Sequence, residues 1–145
     1  MRSFIALALF FFVANSLFGQ EWTRFRGPNG TGAGKADIPI EWTDNDYAWK
    51  IELTGVGHSS PVVWGNKVFL LSANPKDATR YVICINAENG NRLWTREFAS
   101  QTHHLHNRSS YASCTPAVDA DHVYVAWSTP KETLFKAFDH AGNEK

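Results

Sequence analysis

An internal repeat constrains this chain more than any other feature. The run from Ser60 to Leu70 (SPVVWGNKVFL) recurs from Thr115 to Val125 (TPAVDADHVYV), 55 positions later. Upstream, the run from Trp49 to Leu53 (WKIEL) recurs from Trp94 to Phe98 (WTREF), 45 positions later. The ten-residue difference marks an insertion at residues 101–111. Downstream, Ile85, Asn86 and Gly90 find counterparts in Phe138, Asp139 and Gly142. A unit repeated at this interval cannot bury its apolar face alone and has to stack on its neighbours.

Within the repeat the chain reads as short strands. Residues 47–53, 60–64, 67–72, 80–86 and 92–98 are rich in Val, Ile, Phe, Tyr and Trp, with Gly, Asn and Asp between them. Asn89–Gly90 predicts a type I′ hairpin turn, whose two central residues both need positive φ. No stretch from Tyr47 onward keeps a helical period. Four strands in ~45 residues are the content of one propeller blade. The expected fold is therefore all-β: about two four-stranded antiparallel β-propeller blades of an incomplete propeller. Trp49 to Lys145 holds roughly two such units, and a closed ring takes at least about four.

The 145 residues divide into three parts. Residues 1–19 read as a signal peptide: Arg2, then ten apolar residues from Phe4 to Val13, then a polar exit ending at Gly19. The apolar run is too short to span a bilayer, which takes ~20 residues. This places the protein as exported, periplasmic or extracellular. Residues 20–46 form an N-terminal segment leading into the repeats, and residues 47–145 are the repeats themselves. Glycines crowd the stretch 27–34, but it lacks the G-K-[ST] ending of a phosphate-binding loop. The whole chain balances 14 basic against 14 acidic residues, and the basic ones are not clustered. That excludes an electrostatic footprint for nucleic acid. Cys84 and Cys114 are the only cysteines; in an exported chain the two could pair, but they are no disulfide framework, and two small buried hydrophobes are the expectation.

The run from Cys84 to Trp94 (CINAENGNRLW) resembles the A-x-D-x-x-T-G-x-x-x-W motif of pyrroloquinoline-quinone (PQQ)-like β-propellers. Asn86, Gly90 and Trp94 take its Asp, Gly and Trp places, while Cys84 and Asn89 replace its Ala and Thr. The stretch from Trp22 to Gly30 (WTRFRGPNG) is similar to the start of exported planctomycete-type members, and His58 to Val63 (HSSPVV) to their first blade. The resemblance implies a structural blade motif of Trp49, Asn86, Gly90, Trp94, Asp139 and Gly142. In it Gly90 turns a hairpin, and Trp94 wedges between blades with its N–H seeking a carbonyl. It also implies a scaffold or protein-binding role without cofactor. The partners are then the remaining propeller blades or another protein, with no membrane span. The alternative is the first blades of a PQQ-dependent alcohol or sugar dehydrogenase, in which PQQ and Ca²⁺ fill the central funnel.

Candidate chemistry is sparse. His103, His104 and His106 crowd the insertion; on an extended strand His104 and His106 share a face and could ligate one metal, with His58 joining. No carboxylates stand beside them, and an ordinary polar loop is the expectation. No G-x-S-x-G elbow accompanies the serines near these histidines. The cysteines are not adjacent, and no acidic run has a Ca²⁺-ligand pattern. No catalytic or cofactor-binding residue is therefore assigned. Two repeat units with open sides are expected not to form a stable monomer on their own.

Overall fold

The computed structural model describes residues 21–36 and 38–145. The signal-peptide reading of residues 1–19 lies outside them. The described chain is nearly all β, in two antiparallel sheets. The first has the order β1 (Val62–Trp64), β2 (Lys67–Ala73), β3 (Arg80–Asn86), β4 (Arg92–Phe98). The second has β5 (Ala117–Val118), β6 (His122–Ser128), β7 (Thr133–Asp139). A 3₁₀ turn, Asp44–Asp46, precedes them, capped reciprocally by Thr43 and Asp46. Among the described residues no helix is long and apolar enough to cross a membrane.

The repeat is visible in the strand bounds. β6 starts and ends 55 positions after β2, and β7 starts and ends 53 positions after β3. Two expectations are corrected. Residues 47–53 alternate well, yet they form no strand, because no strand among the described residues pairs with them to complete a ladder. The second sheet has three strands, not four; past β7 only Glu144 bridges Phe138.

Alternation along the strands builds the core. Phe69, Leu71, Val82 and Cys84 of the first sheet pack against Val118, Val123, Val125, Trp127 and Phe138 of the second. Removing each such aliphatic or aromatic side chain from water contributes ~1.5–3 kcal/mol. The opposite face of the first sheet, with Leu70, Ile83 and Ile85, is covered by Trp49 and Leu53. Near the inner strands, equivalent positions of the repeat touch: the Ser60 amide donates to Thr115 Oγ1 at 3.2 Å. The N-terminal segment joins here as well. Trp22 bridges Val63 of β1, while the Thr23 carbonyl accepts from the Val118 amide of β5.

Candidate functional site

The most organised polar geometry lies where a tryptophan of one unit meets a turn of the next. The turn after β3 is built by Asn86, whose Oδ1 accepts from the amides of Glu88 (2.8 Å) and Asn89 (3.3 Å). Its backbone closes the loop through Gly90 N to Asn86 O at 2.9 Å and Asn86 N to Asn91 O at 2.8 Å. Only Gly90 has positive φ, so the expected type I′ turn at Asn89–Gly90 is not formed. The Asn86 side chain offers the backbone a different closure, a four-residue loop with one left-handed position.

Gly90 has a second reason to be glycine. A Cβ there would lie 2.8 Å from the Trp49 ring, which covers the turn and donates its Nε1–H to Ala87 O at 2.8 Å. The same junction recurs between the sheets. A Cβ on Gly142 would lie 2.8 Å from Trp94, whose Nε1–H donates to His140 O at 3.1 Å. Ala87 and His140 are 53 positions apart, as the strands before them are. Asp139 closes this second turn, its Oδ1 accepting from the amides of Ala141 and Asn143. Asn143, and after it Lys145, hold the Asp139 carboxyl well below the usual carboxylate range.

Two residues of this junction carry no motif in the sequence. Arg96 donates Nε to Gly142 O at 2.6 Å and lies over the Trp94 ring. His140 contacts Phe69 and Trp64, and its Nε2 meets Asp119 O at 2.9 Å. Their roles come from the second sheet folding back on the first, which no local pattern reveals.

The histidine insertion is a loop, not the extended strand that would put His104 and His106 on one face. Tyr111 pins it: its hydroxyl donates to His103 O and accepts from His103 N, with the two rings edge to face. His106 Nδ1 accepts the Arg108 amide. His58, His103 and His104 do line one open cavity of about 500 Å³, but His106 does not. Among the described residues, the metal-ligand atoms that gather are those of Asp119, Asp121 and His122, within 4.8 Å of one another. Asp119 is already engaged as a turn acceptor for the amides of Asp121 and His122 and for the Tyr124 hydroxyl.

Cys84 is fully buried, and burial pushes its thiol up to about 12, so it is inert at neutral pH. Cys114 is exposed rather than buried, which corrects the reading of both as core residues, and neither is in a disulfide. The two cysteines sit in unlike surroundings, one buried and one exposed, and the Asp119 oxygens serve the turn. No family model and no curated protein matches the chain.

Proposed function

We propose that the chain is part of an exported PQQ-like β-propeller that serves as a scaffold or protein-binding module. The observation that carries the reading is the repeated junction, Trp49 on the Gly90 turn and Trp94 on the Gly142 turn. Each junction uses a flat ring and one N–H to join successive units, which is how a stack of blades grows by repetition. The polar groups near it support the same reading, since Asn86, Asp139, Arg96 and Asp119 act on backbone groups of turns. Export is supported by the apolar run from Phe4 to Val13 behind Arg2.

The test sets this against the dehydrogenase alternative. The purified full chain is titrated with PQQ in the presence and absence of Ca²⁺, following tryptophan quenching and quinone absorbance. A scaffold gives no saturable change. A Ca²⁺-dependent one-to-one complex would overturn the scaffold reading in favour of the quinoprotein.

A further inference from the structure

We propose that the cavity between the histidine insertion and the first sheet binds a small aliphatic carboxylate. Its acid head meets His58, His103 and His104, and its hydrocarbon body lies on Val56, Pro75 and Leu105. The inference goes beyond the scaffold reading and rests neither on it nor on export.

Three segments wall the cavity: residues 56–58, which lead into β1; residues 73–75, at the turn from β2 to β3; and residues 103–111, in the insertion after β4. All belong to the first unit and its connection to the second. Each wall is pinned. Val56 and Ala73 exchange both backbone hydrogen bonds at 2.8 Å, and the His58 amide donates to Ala112 O at 3.4 Å. Tyr111 holds both backbone groups of His103, while Arg80 Nη1 donates to Tyr111 O at 2.9 Å. The space of about 500 Å³ is therefore preformed, and its size suits a small organic ligand.

The polar side of the lining favours an anion. It consists of three imidazoles and the Ser109 and Ser110 hydroxyls, with no carboxylate. His103 Nδ1 lies 3.2 Å from Gln101 O, which can only accept, so Nδ1 carries the hydrogen. A second proton, on Nε2, leaves that bond intact and gives an imidazolium. The His58 and His104 rings have no hydrogen-bond partner among the described residues, so both can donate to an incoming oxygen. His106 is the contrast. It lies outside the cavity, and its Nδ1 accepts the Arg108 amide at 3.1 Å, a bond that a proton on Nδ1 would break. The surrounding charge has the same sign: Lys76 follows Pro75, Arg108 sits in the insertion, and Arg80 holds the backbone of Tyr111. Asp77, the acid of the β2–β3 turn, is occupied by the Asn74 side chain and the Thr79 amide.

The other side of the lining is aliphatic, formed by Val56, Ala73, Pro75 and Leu105. Val56 is 52% exposed, so apolar surface there is available to be covered. The Tyr111 ring already stands edge to face with His103, which leaves saturated carbon as the matching ligand body. A bare inorganic anion would leave this side wet, and a hydrocarbon would leave the imidazoles unpaired. An aliphatic carboxylate satisfies both sides, with charge-assisted hydrogen bonds at its head.

The test titrates the full chain by calorimetry with cyclohexanecarboxylate at pH 6, where imidazole readily takes a proton. Saturable one-to-one binding is expected. Cyclohexanecarboxamide, with the same body and no charge, should bind at least tenfold more weakly. So should acetate, which has the charge and almost no body. The exposed pair His58→Gln with His104→Gln should weaken binding about tenfold with circular dichroism unchanged, whereas His106→Gln should leave it unaltered. Proton resonances of the imidazole rings give a reading without substitution: those of His58, His103 and His104 should move with the carboxylate, and that of His106 should not. Absence of saturable binding overturns the proposal. So does equal binding of the carboxamide or of acetate, binding that survives the double substitution, or imidazole shifts that centre on His106.

Discussion

At the scale of single residues, the junction turns on the absence of a Cβ. Gly90 sits at φ 73° with the Trp49 ring where its side chain would be. Gly90→Ala therefore meets two penalties: the left-handed conformation, ~1–2 kcal/mol, and displacement of a packed ring, ~1–3 kcal/mol. The expected loss is about 2–4 kcal/mol by urea denaturation, with Trp49 fluorescence moving toward that of a solvated indole. Gly65→Ala is the control, since it shares positive φ but has nothing within 4 Å of its Cβ position. Equal losses at the two sites would show that backbone strain alone accounts for Gly90. The sequence made this glycine legible through its place between Asn86 and Trp94. It did not reveal which tryptophan covers it: Trp49, 41 positions upstream, rather than Trp94, which lies on the next turn.

At the scale of elements, four of the five expected strands form with bounds close to the reading, because alternation and β-branched residues are local signals. The fifth, at 47–53, fails because pairing is non-local, and alternation alone cannot supply a neighbour. The turns teach a related lesson. Asn86 and Asp139 are matched in sequence, and both close their loops by accepting backbone amides. The difference is charge. Asn143, Lys145 and the Asn143 amide depress the Asp139 carboxyl, and turn amides likewise lower Asp119 and Asp77. A depressed carboxylate stabilises the fold above its ordinary value of 3.8 and loses that contribution as pH falls through the lower folded value. The thermal midpoint should hold from neutral pH down to about pH 5 and then fall in acid. Asp139→Asn, which copies the chemistry of Asn86, should fold and show a shallower acid limb. An unchanged slope in that variant would remove Asp139 from the acid response.

At the scale of the whole molecule, one side chain ties the parts together. Arg80 begins β3 and is only 5% exposed, unusual for a cation with no carboxylate partner among the described residues. Its Nη1 donates to Tyr111 O at 2.9 Å and its Nη2 to Ser128 O at 3.3 Å. The first sheet, the histidine-bearing loop and the end of β6 are thus held by a single guanidinium, which also lies over the Trp127 ring. Burial pushes its pKa down, and its Nε finds no partner among the described residues. Nothing in the sequence marks Arg80, because its role depends on a loop 31 residues away and a strand end 48 residues away. Two opposing effects decide what replacement does. Hydrogen bonds from a charged donor contribute ~1.5–3 kcal/mol each, while the buried charge and orphaned Nε carry a desolvation cost. Arg80→Ala loses both bonds and the packed stem, so a net loss of about 3 kcal/mol is expected. Arg80→Met keeps much of the stem and sheds the desolvation cost, so it should lose about 1–2 kcal/mol. Hydrogen exchange separates a tether from a general weakening. In Arg80→Ala the amides of residues 101–111 should exchange faster by a larger factor than those of β2. A uniform change across both, or a stability within ~0.5 kcal/mol of the parent, would mean that the sheets and the loop hold together without Arg80.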